Sequence, residues 1–198
     1  TTANDAFKPV TRYFDRITRP EQIIQSFPIA VQTMLDPADC GPACIALSQD
    51  IQGQTFDYPE EFFKEKVHTI RRPRPDEFQI KEAAEKIKSS KNPIIISGGG
   101  VFYSDAMEEL SQFAIKHNIP VTQTVMGYST MKRDHSHFAG QIGGLGGKNT
   151  NTLAKQTDLA IAVGTKLADF TTGSWANFEN ENFKLVSINV SRYDANKH

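Results

Sequence analysis

No apolar run in the sequence is longer than about five residues, as in Leu159 to Val163, whereas a membrane span needs about twenty. A transmembrane helix is excluded. Cysteine is nearly absent: Cys40 and Cys44, spaced CxxxC without a second pair, fit neither a zinc ribbon nor a disulfide framework, and read as reduced thiols of a cytoplasmic protein. Excess charge is missing too, with 22 Lys plus Arg against 23 Asp plus Glu and a formal net charge of −1. The only local cationic cluster is Arg71-Arg72-Pro73-Arg74, far short of the stripe that a nucleic acid or an anionic membrane requires, so no nucleic acid and no membrane is expected as partner. Repeats and low-complexity tracts are absent. The opening Thr1-Thr2-Ala3-Asn4-Asp5 offers neither an initiator Met nor the apolar heart of a signal peptide, so the chain reads as a segment of something longer. What is present suffices for a core: 198 residues, 38% of them hydrophobic, can fold without disulfide or metal support.

The apolar spacing of Ile23, Ile24, Phe27, Ala30, Val31 and Met34, after the capping-box order Thr18-x-x-Glu21, predicts a helix from Pro20 to Leu35 that Pro28 should kink. A buried strand is expected at Ala43 to Ser48. Between Asp50 and Pro75 periodicity fails while prolines and aromatics accumulate, the pattern of a connector lying against a surface. Thereafter the order is regular: helix 77–89, strand 93–97, helix 104–117 capped by Ser104, strand 120–124, a glycine-rich passage, helix 149–156, strand 159–163 and strand 184–190. Strands alternating with helices imply right-handed crossovers, hence an α/β fold with a doubly wound parallel sheet. The expected organisation is a partial α/β unit over 1–55, a connector over 56–75 and a Rossmann-like domain over 76–198.

Two glycine clusters and one histidine cluster are the candidates for chemistry. Gly98, Gly99 and Gly100 follow the strand 93–97 directly, where backbone N–H groups can meet a phosphate or where a tight turn simply needs glycine. The dinucleotide fingerprint fails, because Tyr103 replaces its last glycine and no acidic residue closes the strand ending at Thr124, so NAD is not expected. Gly140, Gly143, Gly144, Gly146 and Gly147 fit either a ligand-approach site or a mobile loop, and residues 131–148 are expected to be mobile for want of large apolar anchors. Asp134, His135 and His137 carry metal-ligand atoms, but the spacing sends the two imidazoles apart, and no metal site is expected.

Longer stretches carry a resemblance. Asn92 to Val101, Thr124-Val125-Met126-Gly127, Asp134-His135, Asp158-Leu159, Gly164-Thr165-Lys166 and Asp169 to Gly173 resemble the central domain of thiamine-diphosphate enzymes of the acetohydroxyacid synthase type. Gly41-Pro42 with the following strand resembles the end of their pyrimidine-binding domain. Asn4 to Ile17, Leu35 to Pro42, Asp169 to Trp175 and Asn189 to Ala195 are similar to a branch of that family acting in inositol catabolism.

That resemblance implies a cytoplasmic enzyme, a homo-oligomer (dimer or tetramer) at full length, that opens a small-molecule cyclic dione by hydrolytic C–C cleavage, with thiamine diphosphate as electron sink and Mg as its anchor. It also implies that the parts holding the cofactor lie elsewhere: the sequence has no Gly-Asp-Gly, and the activating Glu would precede it. The segment alone is therefore expected to be non-catalytic, with no cofactor and no metal bound. Lys8 matches a lysine near the active-site entrance. Gly98, Gly99, Gly100, Gly127, Gly164, Thr165, Lys166 and Asp169 would form a vestigial nucleotide crevice. FAD is not expected, since Lys166, Ala168 and Phe170 stand where flavin-bearing relatives carry charged residues. An acetolactate synthase-like carboligase and a stand-alone nucleotide-binding module are the alternatives.

Overall fold

The computed structural model describes residues 3–198; Thr1 and Thr2, where the expected first unit begins, lie outside them. The chain divides into two compact units, one up to Arg71 and one from Arg72 onward. Of the connector expected over 56–75, the residues up to Arg71 thus go with the first unit. There Phe56, Tyr58, Phe62 and Phe63 form a ring cluster with centroids 5.1–6.0 Å apart, and the Tyr58 hydroxyl donates to the Pro20 carbonyl at 3.1 Å.

In the first unit, strands β1 (Tyr13–Ile17) and β2 (Ala43–Leu47) pair in parallel, in register from Tyr13 opposite Ala43 to Ile17 opposite Leu47. Helix α1 (Ile23–Leu35) packs on both, burying Ser26 and Ala30, and α2 (Gln49–Gln52) follows. The expected capping box does not form. A 3-10 turn over Pro20–Gln22 shifts the acceptor by one residue, so that Thr18 donates through its N–H and hydroxyl to Gln22 Oε1 at 3.1 and 3.3 Å, while Glu21 pairs with Arg19. α1 runs through Pro28 as one helix, although the proline leaves one helix carbonyl without its N–H donor.

The second unit is a five-stranded parallel sheet of order β5-β4-β3-β6-β7, from β3 (Pro93–Ser97), β4 (Val121–Gln123), β5 (Phe138–Gln141), β6 (Leu159–Val163) and β7 (Lys184–Ile188). It is interleaved with α3 (Glu77–Ser89), α4 (Gly99–Tyr103), α5 (Met107–His117), α6 (Lys148–Gln156) and α7 (Asp169–Thr172), and closed by α8 (Arg192–Asn196). The near-continuous apolar strands follow from burial on both faces. Ile95, Leu159 and Ile161 meet Leu110 and Ala114 of α5 on one face, and Ile94, Ile96, Ala160 and Ala162 meet Ala154 of α6 on the other. The α/β doubly wound expectation holds.

Two local expectations do not. The helix expected over 104–117 starts at Met107 as α5, and Ser104, expected as its N-cap, instead ends a separate short helix, α4, that begins inside the glycine turn with Gly98 as its N-cap. The passage 131–148 contains β5, is anchored by Met131 and Ile142 at 5% and 2% exposure, and is tied by bonds from Ile142 N–H to Gln123 and from Gly144 N–H to Phe170. The shortage of anchors inferred from its glycines is thereby corrected, and with it the ground for expecting a mobile loop.

Candidate functional site

In this strand order the chain leaves β3 toward β4 on one side and later returns to place β6 on the other. That reversal makes the carboxyl ends of β3 and β6 the topological switch point, where open α/β sheets hold ligands. The fold brings Gly98, Gly99, Gly100, Gly127, Gly164 and Thr165 together there. Their packing shows what the glycines are for. A Cβ on Gly98 would stand 2.3 Å from the Gly164 carbonyl oxygen, one on Gly100 2.6 Å from Gly164 Cα, and one on Gly127 2.1 Å from the Ser97 carbonyl oxygen. Gly164 is also left-handed, with φ +59°.

Of the N–H groups that could have cradled a phosphate, those of Gly98, Gly100, Gly127 and Gly164 are used inside the fold. Gly98 donates to Val163 and Gly100 to Gly164, each at 2.9 Å, Gly164 donates to Ile188 at 2.8 Å, and Gly127 donates to the Thr124 carbonyl and hydroxyl at 3.0 Å. Thr165 is buried, its hydroxyl accepting from the Leu167 N–H at 3.3 Å and its carbonyl from Asn189 Nδ2 at 3.0 Å. Lys166 and Asp169 lie exposed on the following loop and α7 and make no side-chain hydrogen bond or ion pair to another described residue. The glycine turn is thus a backbone-to-backbone lock. Beneath it Ser97 Oγ lies 2.6 Å from Thr130 Oγ1 and donates to the Thr122 carbonyl at 3.2 Å, fixing the loop that follows β4.

Lys8, in the first unit, is exposed; its ammonium sits 2.9 Å from Asp5 Oδ1 and 5.2 Å from the centre of the Phe14 ring. Also in that unit, the Ser26 hydroxyl donates to Asp15, which further accepts from the Arg16 N–H at 2.8 Å and from Gln22 Nε2 at 3.2 Å. The Ser26 bond above all holds the Asp15 carboxyl below the usual carboxylate range.

Diphosphate held through magnesium needs converging carboxylate and amide oxygens. Among the described residues no three His, Cys, Asp or Glu side chains converge to hold a metal ion. The residues present therefore do not fit the magnesium diphosphate. The histidine cluster is occupied otherwise: His135 Nε2 lies 3.0 Å from Ser111 Oγ on α5 and His137 Nε2 3.1 Å from Asn118 Oδ1, pinning the approach to β5. At the amino ends of the strands a wider cavity of about 640 Å³ includes Asp158, whose carboxylate accepts from the Ser90 hydroxyl and from the Lys91 and Asn92 N–H groups. Burial pushes that carboxyl up, but the three donors outweigh it and hold it low, which marks Asp158 as a latch between α3 and β6. Sequence reasoning passed over Gln123 and Gln141, whose pairing becomes visible only once β5 is in place.

Residues 80–198 match the family model described as the thiamine pyrophosphate enzyme, central domain. Curated relatives named 3D-(3,5/4)-trihydroxycyclohexane-1,2-dione hydrolase are similar along nearly the whole chain. The protein from Clostridium perfringens is 47% identical over 196 residues, 99% of this chain and 31% of the relative. Those from Bacillus velezensis and Bacillus subtilis are 48% and 47% identical over 199 residues, again 99% of this chain and 31% of the relative. The chain spans about a third of the length of the curated relatives it matches.

Proposed function

Because the chain belongs to the thiamine pyrophosphate enzyme family, through that family's central domain, we propose that it is the middle part of a thiamine-diphosphate-dependent hydrolase that breaks a ring C–C bond of a trihydroxycyclohexane-dione. The observation that carries the reading is the 47% identity over 99% of the chain, which includes the residues before position 80 that the family model does not match. In this reading residues 1–55 are the end of a pyrimidine-binding domain, 56–75 a connector and 76–198 the central domain. The longer protein works in the cytoplasm as a homo-oligomer in inositol catabolism.

The segment's own part is that of a scaffold. Its sheet fixes the loops at the strands' carboxyl ends, and the glycine lock keeps the switch point closed, while Lys8 belongs to the active-site entrance. The cofactor and magnesium are held by residues outside this chain, and the segment by itself neither binds them nor hydrolyses the dione. The absence of a Gly-Asp-Gly and of a metal-ligand cluster among the described residues supports this.

The test is an assay of the full-length polypeptide carrying these residues, supplied with the cyclic dione, thiamine diphosphate and magnesium. Ring opening that requires both additions is the expected result. Acetolactate formed from pyruvate in place of ring opening would move the protein to the carboligases and overturn the reading.

A further inference from the structure

At the carboxyl end of the sheet, two strands from the switch point, a cleft of about 340 Å³ opens between β4 and β5, lined among others by Gln123, Gln141, Tyr128, Arg133, Phe138 and Leu145. Gln123 and Gln141 are register partners in parallel strands, so their side chains stand side by side on one face. Gln123 is only 2% exposed, and its Nε2 is committed to the Met131 carbonyl at 2.9 Å and Thr130 Oγ1 at 3.3 Å. The carbonyl acceptor at Met131 settles which amide atom is the nitrogen. Gln123 Oε1 is then left with no hydrogen-bond partner among the described residues, and it is not sealed off, since Ser187 Oγ is the one buried and unpartnered side-chain atom found among them. A side chain 98% buried thus presents a bare acceptor to the cleft, and an acceptor held this rigidly asks for a ligand hydroxyl or N–H.

The rim supplies the opposite chemistry. The Arg133 guanidinium lies over the Tyr128 ring, 5.7 Å from its centre, with one nitrogen 3.4 Å from the Tyr128 hydroxyl, and enters no ion pair with another described residue. One planar cation with donors to spare matches a single carboxylate in bidentate fashion. A phosphate cluster would call for more cations. Phe138 and Leu145 add apolar surface for the C–H face of a small molecule.

The geometry points to a binding site for a small hydroxylated carboxylate, of the sugar-acid class, with its hydroxyls on the paired glutamines and its carboxylate on Arg133. This site is separate from the switch point, and the inference stands independently of the reaction proposed above.

The probe is D-gluconate, titrated into the 198-residue chain while the side-chain amide and backbone resonances of residues 121–145 are followed by NMR. Saturable shifts at Gln123 and Gln141 are expected, with a dissociation constant of about 1 mM, as ordinary ligand efficiency gives for a ligand of this size. Arg133→Gln should weaken binding roughly tenfold by removing the charged partner. Gln141→Ala, at a partly exposed position where folding is not at stake, should weaken it several-fold. Neutral myo-inositol and plain acetate each carry half of the chemistry and should bind at least about tenfold more weakly than gluconate. Shifts absent at tens of millimolar gluconate, or the same affinity for gluconate and acetate, or an unchanged affinity in Arg133→Gln, would each overturn the assignment.

Discussion

In the second unit β3 and β6 lie side by side at the centre of the sheet, with Ile94, Ile95, Ile96, Leu159 and Ile161 each at most 2% exposed, whereas in the first unit Ile17 and Ala30 are the buried apolar side chains among the described residues. Both units pair their strands in parallel, an arrangement that is stable when both faces are covered. The five-stranded sheet meets that condition with helices on each side. The two-stranded sheet has α1 packed on it, and Leu47, Phe27 and Ile29 remain 43%, 52% and 45% exposed. Local stability should therefore differ sharply, and the single Trp175, packed with Phe178 and Phe183 in the second unit, gives that unit an optical probe of its own.

The largest effect is expected at the glycine lock. Gly164→Ala puts a side chain on a residue with φ +59° and 2.6 Å from Gly100 Cα, so it should cost about 3 kcal/mol or more, or prevent the second unit from folding. Trp175 fluorescence in a urea titration reads the loss; a change under about 1 kcal/mol would mean that the two loops part easily. Next comes Ile161→Ala in β6, which should cost about 3 kcal/mol in the same transition. Amide exchange of β1 should stay unchanged in that variant if the units are energetically separate, and a parallel loss in both would break the comparison.

Asp15→Asn should act in the other unit, with an effect of about 1 kcal/mol on the exchange protection of β1 at neutral pH. Because the folded carboxyl is held below its ordinary value near 3.9, the stability it contributes is present above that value and is lost as pH falls through the lower folded value. Acid weakening of β1 below about pH 4 is therefore expected in the parent and flattened in Asp15→Asn. Identical acid profiles for the two would remove Asp15 as the source. The smallest change is expected for Lys8→Ala, which deletes an exposed pair with Asp5 and should shift stability by less than about 0.5 kcal/mol, as measured by the same exchange.

What could be read beforehand divides by range. Pro93–Ser97 and Leu159–Val163 carry the unbroken apolar runs Ile94 to Ile96 and Leu159 to Val163, and Asp76 caps α3 with its carboxylate on the Gln79 N–H at 2.8 Å, so local pattern announces these elements. β1 stayed hidden because Asp15 and Arg16 interrupt it, the former serving Ser26 and Gln22 eleven and seven residues away. β5 stayed hidden because Phe138–Gln141 includes Gly140, which at φ +100° marks a register shift against β4 and reads locally as loop. The site divides the same way. Gly98 and Gly100 stand out in sequence, but the reason for them is Gly164, more than sixty residues on, and no spacing rule distinguishes a lock between two turns from a cradle for phosphate. The cleft between β4 and β5 depends on that same hidden strand.

In the proposed function these residues scaffold a thiamine-diphosphate enzyme without holding the cofactor themselves. Isothermal titration of the 198-residue chain with thiamine diphosphate and excess magnesium is the decisive test. No saturable heat is predicted up to about 1 mM cofactor, and binding with a dissociation constant in the micromolar range would contradict the claim.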